Sequence, residues 1–373
     1  MKDLISRLLD RAVQIQQIAA PTFEEKRRAD FVRESFLQEG LKDVAMDSLN
    51  NVYARFPGLE PSKPLIVSAH LDTVFPSDTS LHATREEDRI YGPGIGDNSL
   101  GVAALFGLIW MVRERRIQLP SDVWFVANVC EEGLGDLRGM RAVVDRFGGG
   151  PSTSSGQAVK AYLVIEGLSL GHIYHLAVGV RRYRVTAKTA GGHSWSDYGQ
   201  PSAVHEAARL VTQIASLSVP VLPRTTLNIG KISGGTGVNV LASEATFELD
   251  LRSESLEGLN ALIAQTEELI RSAEKEGVQI EFEVIGSRPA GEIAPDHPLI
   301  RLAEQCLREQ GLKVELTSGS TDANIPLSRG IPATVLGVTR GGGAHTVHEY
   351  IEVGTVEKGM EQLAGFVEKV WER

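Results

Sequence analysis

What this chain lacks narrows its possible roles first. It holds two cysteines, Cys130 and Cys306, in 373 residues. They stand far apart, without the short spacing of a thiolate metal site, so a cysteine-based metal centre is not indicated. Buried thiols in a reducing cytosol are the expectation. Positive charge is also scarce: 38 Lys and Arg face 48 Asp and Glu, a net charge of −10. A nucleic-acid surface needs a basic patch, so that partner class is not expected. The opening stretch "MKDLISRLLDRAVQIQQIAAPTFEE" carries charges throughout an amphipathic helical pattern. It has no unbroken apolar segment and does not read as a secretory signal. No apolar run reads as long enough to span a membrane, and no internal repeat is visible. A cytoplasmic enzyme is the expectation.

What remains is ordinary in bulk: 42% hydrophobic and 23% charged residues suit a globular chain large enough for two domains. Helical patterns at 3–19, 24–38 and 99–115 alternate with short apolar strands at "LIVSAH" (65–70), "DVWFVANV" and "KAYLVIE" (160–166). The second helix reads as starting with a capping box, Thr22 with Glu25. "GGGPSTSSGQ", ahead of the third strand, reads as a flexible surface loop. Strands alternating with helices predict an α/β layer fold with a mostly parallel central sheet. Over 180–288 the order becomes β-α-β-β-α-β, which predicts an inserted ferredoxin-like α+β domain. The α/β pattern returns at 289–373, so the first domain comprises 1–179 and 289–373.

Three strands of that first domain end in residues able to bind metal. "LIVSAH" ends at His70, with Asp72 two residues on; "VWFVANVC" runs into Glu131 and Glu132; "AYLVIE" ends at Glu166. In open α/β sheets ligands sit beyond the carboxyl ends of the strands. Acids delivered there by buried strands carry a large desolvation cost unless something positive meets them, and a divalent cation is the simplest candidate. In "HLD" the period of an extended chain puts His70 and Asp72 on one face, so Asp72 could orient the imidazole. Two adjacent glutamates point to opposite sides, which suits one as ligand and one as general base. "GPGIGDNSLG" (92–101) places Asp97 before a helix, with Asn98 or Ser99 as its cap; "GGGAHTVHEY" (341–350) supplies His345 and His348. The glycine-rich loop lacks the spacing of a dinucleotide fingerprint, and Asp97 would repel a phosphate.

Taken together, "SAHLDTVFP", "GPGIGDNSLGVAAL", "CEEGLGDLRG", "VIEG" and "AHTVHEY" resemble the dinuclear zinc exopeptidase and amidohydrolase family, which includes glutamate carboxypeptidase, peptidase T, aminoacylase and succinyl-diaminopimelate desuccinylase. The resemblance covers nearly the whole chain. It implies two zinc ions, with cobalt or manganese as substitutes, bridged by Asp97. His70 and Glu166 would hold one, Glu132 and His345 the other, His345 being preferred to His348 because it stands four residues before Glu349. Glu131 would be the general base and Asp72 a support for His70. In the inserted domain the resemblance implies a homodimer in which His193 of "AGGHSW" stabilises an oxyanion in the partner's site. Asn239 and Arg252 would bind polar ends of the substrate, Arg252 as a fork for a carboxylate.

Two departures bear on substrate. Ser99 stands where many members carry lysine. Glu166 is the choice of carboxypeptidases and deacylases, whereas "TTLNIGKISGGTGVNVL" and "GSTDANIP" look closer to peptidase T. A metallohydrolase of short peptides is the first expectation and an N-acyl-amino-acid deacylase the second. A non-catalytic relative using the fold for binding, and a dinucleotide-dependent oxidoreductase, are the readings from other classes.

Overall fold

A computed structural model describes residues 1–60, 62–148 and 158–372. Of the expected surface loop at 148–157, all but Gly148 lies outside the described residues. The chain separates into two compact units, Met1–Ala177 with Glu292–Arg373, and Val178–Gly291.

The first unit is built on a sheet whose centre is four parallel strands in the order Val123–Asn128, Leu65–His70, Ala161–Glu166 and Ala333–Gly337. Val, Ile, Leu and Ala dominate them and nearly every position is buried, as expected for strands covered on both faces. The chain leaves Leu65–His70 to one side and later returns to its other side, so this strand is the topological switch of the sheet. Register pairs His70 with Asn128 and Gly337 with Glu166, which brings the carboxyl ends to one rim. Three strands carried no clear pattern in the sequence: Lys42–Met46, Val52–Phe56 and His172–Ala177. The first two form an antiparallel extension of the sheet and the third lies between Ala333–Gly337 and Glu315–Gly319; half-exposed positions in them blur the alternation.

Helix Gly101–Glu114 is apolar on every side and is covered by helices Lys2–Gln16 and Val356–Lys369. Together with the preceding turn it makes a stretch, Ile95–Glu114, long and apolar enough to cross a membrane, against the sequence expectation that no run reaches that length. Its best window is 94% buried inside the protein, so the apolarity is accounted for by the core.

The second unit is a four-stranded antiparallel sheet ordered Thr225–Gly234, Glu244–Ser253, Gly179–Lys188, Gln279–Arg288. With helices Ala203–Ala215 and Leu256–Ser272 this is the ferredoxin-like order. Tyr183, Val185, Phe247, Leu249 and Leu251 face the helices. The alternate residues make a ladder of ion pairs on the other face: Arg182–Asp250 at 2.8 Å, Arg184–Glu248 at 3.0 Å and Lys188–Glu281 at 2.6 Å.

In the first unit Phe106 is fully buried and its ring stacks on Phe36 at 4.8 Å. Truncation there leaves a cavity the surrounding helices cannot fill, so Phe106→Ala is expected to lose about 3–5 kcal/mol of stability. Urea unfolding of the two proteins measures it; a loss below about 1 kcal/mol contradicts the packing described.

Candidate metal centre

The rim of the first unit's sheet gathers six of the residues singled out in the sequence. His70, Asp97 and Glu166 form one group whose ligand atoms lie within 4.8 Å of one another; Asp97, Glu132 and His345 form a second; His70, Glu131 and Glu132 form a third. Asp97 belongs to the first two. Its Oδ1 is 3.1 Å from His70 Nε2 and its Oδ2 is 3.1 Å from His345 Nε2. Glu166 Oε2 is 3.7 Å from His70 Nε2, and Glu132 Oε1 is 3.1 Å from His345 Nε2. His348 is exposed and belongs to none of the groups.

Each ligand-capable side chain is aimed by a local feature. His70 ends its strand with Nδ1 3.1 Å from the main-chain oxygen of Asp72, which accepts its proton and turns Nε2 toward Asp97. The Asp72 carboxylate lies farther from that ring, at 3.6 Å. Its oxygens accept from the N–H groups of Glu131 and Glu132, both at 2.9 Å, and from the Thr22 hydroxyl at 2.9 Å. Asp72 therefore grips the turn that carries the two glutamates, a role the sequence spacing did not show.

That turn is not the end of a strand. The strand stops at Asn128, and Cys130 adopts φ 57°, a left-handed conformation that redirects the chain before Glu131. His345 has φ 64°. Non-glycine residues in this region store strain and cluster at functional sites.

Two local expectations are corrected. Thr22 and Glu25 do not form a capping box: helix Lys26–Gln38 has no side-chain cap, Thr22 is spent on Asp72, and Glu25 Oε1 accepts from Cys130 N at 3.1 Å. Neither Asn98 nor Ser99 caps helix Gly101–Glu114. The Asn98 amide instead clasps the main chain on both sides of Glu166, donating to Ile165 O at 2.9 Å and accepting from Gly167 N at 2.8 Å. In both cases the tertiary partner offers a buried polar group that would otherwise be unpaired, which outweighs a cap in contact with solvent.

Electrostatics follow from this crowding. Burial opposes charge on His70, yet Asp72, Asp97 and Glu166 outweigh it and hold the imidazole well above its usual range. Hydrogen bonds to Asp97 and Glu132 carry His345 up to about 10. Burial opposes ionisation of Asp97, but the two imidazoles overcome it and keep its carboxyl well below the ordinary value. Burial pushes Glu166 up to about 7. A field strong enough to hold two imidazolium ions will hold cations that displace their protons, leaving neutral imidazole and carboxylate as ligands. Nitrogen and oxygen donors of this kind fit divalent zinc, cobalt or manganese. The residues present therefore fit a pair of metal ions.

The other three candidates lie in the second unit. His193 is exposed, and its Nδ1 accepts from Trp195 N at 3.2 Å and Ser196 N at 3.4 Å. That sets the tautomer with the proton on Nε2. Asn239 is exposed and its main-chain oxygen accepts from Ser194 N at 3.0 Å. Arg252 lies on the charged face of the sheet, its Nε 2.7 Å from Asp250 Oδ1.

Residues 66–369 match the peptidase family M20/M25/M40. The chain belongs to this family. It is 24% identical to the protein YqjE of Bacillus subtilis over 97% of this chain and 98% of that one. It is also 24% identical to a probable carboxypeptidase of Ajellomyces dermatitidis, over 89% of this chain and 77% of the other. Among solved structures it resembles the aminopeptidase PepT of Bacillus cereus with a TM-score of 0.80 and 22% identity, covering 98% and 99% of the two chains. This M20-family member is thus a hydrolase with the mixed α/β fold of its structural neighbours.

Sequence reading missed Arg28, which is fully buried beneath the rim. Its guanidinium donates to Ile18 O at 2.7 and 2.9 Å and to Leu71 O at 2.7 Å, next to His70 and Asp72 in sequence. Burial lowers it to about 10, against the fields of Asp72 and Glu25, so it stays charged at neutral pH. An arginine in the first turn of a helix, three residues after Glu25, carries no signal in sequence. Arg28→Met strands two carbonyls and leaves buried acids uncompensated, with an expected loss of about 3–5 kcal/mol. Chemical denaturation monitored by circular dichroism tests this; wild-type stability would show that the buried cation is dispensable.

Proposed function

We propose that this M20-family chain is a two-metal exopeptidase that hydrolyses a terminal amide bond of short peptides. The observation that carries the reading is the double orientation of Asp97, one carboxylate oxygen on His70 and the other on His345, each at 3.1 Å. A carboxylate presented this way suits a bridge between two cations, with His70 and Glu166 completing one side and Glu132 and His345 the other. Bound divalent ions supply Lewis acidity, which polarises the scissile carbonyl and brings the pKa of water toward neutrality.

The chain's own groups divide the remaining work. Glu131 accepts the proton of the attacking water and delivers it to the leaving amine. Asp72 holds Glu131 in place through its main-chain N–H. Asp97, Glu132 and Glu166 would serve as the carboxylate ligands. His193, with its proton on Nε2, is a donor suited to an oxyanion; acting on a second copy it would require a homodimer. Asn239 and Arg252 would meet polar ends of the substrate, Arg252 by exchanging Asp250 for a substrate carboxylate. The similarity to PepT supports peptides read from the amino end. Glu166 and the carboxypeptidase relative favour the second reading, in which the carboxyl end or an N-acyl group is recognised.

A panel of di- and tripeptides and N-acyl amino acids decides between these readings. Peptides are expected to turn over, chelation to abolish the rate, and added zinc, cobalt or manganese to restore it. Full activity in chelated protein would refute the proposal. Glu131→Gln is expected to lower kcat by about 100- to 10,000-fold while metal content is kept; a wild-type kcat removes Glu131 as the base. Sedimentation should show a dimer, and His193→Ala should reduce kcat. An active monomer excludes action across an interface.

A further inference from the structure

The glycine-rich segment at 92–97 has the make-up of an anion-binding loop, and its anion is a side chain of the protein. Gly94 N lies 2.9 Å from Glu349 Oε2, and Gly96 N and Asp97 N each lie 2.7 Å from Glu349 Oε1. Glu349 is fully buried. Main-chain N–H groups converging on one anion form a nest, a concavity of fixed positive charge. The glycines are demanded by it. Gly94 sits at φ +72°, and a Cβ on Gly96 would come 2.7 Å from Leu168 Cδ2 and 3.2 Å from Glu349 Oε1.

The pairing of short strands brings Glu349 there. Arg89–Tyr91 runs antiparallel to Tyr350–Glu352 with Tyr91 opposite Tyr350, and Gly92 N donates to Glu349 O at 2.9 Å. The residues just outside this ribbon are thereby held side by side. Glu349 stands four residues after His345, whose Nε2 is 3.1 Å from Asp97 Oδ2. One short loop thus meets Asp97 twice, through an imidazole at its side chain and through a carboxylate at its main chain.

We propose that Glu349 is a positioning residue: it locks the main chain of Gly94–Asp97 so that the two Asp97 oxygens face His70 and His345 together, and so sets the affinity of the chain for a pair of cations. The proposal rests on the two-metal reading above. A carboxylate accepts from all three N–H groups at once, with the strength of charge-assisted bonds. Glutamine keeps the shape but has a single acceptor oxygen, and its NH2 would meet a main-chain donor head on. At least one buried N–H would lose its partner, and the loop would be free to turn.

The test uses metal-free full-length wild type, Glu349→Gln and Glu349→Asp. Zinc affinity is read by competition with a chromophoric chelator, amide hydrogen exchange over residues 92–98 by mass spectrometry, and folding by thermal unfolding. Glu349→Gln is expected to weaken zinc binding about 10- to 100-fold, the usual effect of removing a group that orients metal ligands, and to speed exchange across the loop. Glu349→Asp keeps the charge on a shorter arm and should fall between. A folded Gln variant with wild-type zinc affinity overturns the proposal, even if its thermal stability drops. If the Gln variant does not fold, unchanged affinity and exchange in the Asp variant overturn it equally. A wild-type chain that takes up no zinc pair would instead defeat the two-metal reading itself.

Discussion

The constraint on which this protein's first unit depends is the crowding of like charge at one rim of a buried sheet. Asp72, Asp97, Glu131, Glu132 and Glu166 converge there, and carboxylates removed from water repel one another strongly. The fold resolves this by giving the acids two kinds of partner. Some are met by main-chain N–H groups: Asp72 by those of Glu131 and Glu132, Glu25 by that of Cys130, Glu349 by those of Gly94, Gly96 and Asp97. The others, Asp97, Glu132 and Glu166, face the two imidazoles. The acids of the first kind brace the loops. Those of the second kind are left with negative charge directed at a shared centre.

The bracing is what makes loops precise enough for chemistry. Asp97 lies between the antiparallel strand Arg89–Tyr91 and a core helix, in a turn whose dihedrals are non-helical at Asp97 and Asn98. It is tied from one side by Glu349 and from the other by Asn98, whose amide bonds flank Glu166. The Glu131–Glu132 turn is likewise tied through Asp72 to Thr22 and through Cys130 to Glu25. Arg28 supplies a full positive charge beneath this floor, and it joins the N-terminal segment to Leu71. Groups that orient ligands tune a metal site, their loss typically costing about 10- to 100-fold in affinity or activity.

Much of this was legible in the residue order. Alternating apolar strands and helices announced the α/β layers, and the change of pattern after the third acid-tipped strand announced the ferredoxin-like order of the second unit. His70 and Glu166 could be named because polar residues at the ends of buried strands are costly and conspicuous; Asp97, Glu132 and His345 were singled out as ligands by the family resemblance. Strands Lys42–Met46 and His172–Ala177 were not legible, since half-exposed strands of this kind show neither a buried run nor a clean alternation. Thr22 and Glu25 read as a cap because their spacing is that of a capping box; Thr22 instead meets Asp72, 50 positions away, and Glu25 meets Cys130, 105 away, as well as Phe23 N.

By itself the sequence determined most of the strands and helices and that His70 and Glu166 end two of the buried strands, because periodicity and burial cost are local properties of the chain. Only the tertiary structure decided how those acids are shared out. Whether a carboxylate braces a loop, as Glu349 and Asp72 do, or faces an imidazole, as Asp97 does, depends on which main-chain N–H groups a distant turn brings within hydrogen-bonding reach. That proximity is set by strand order and by left-handed turns at Cys130 and Gly94, and no spacing along the chain encodes it.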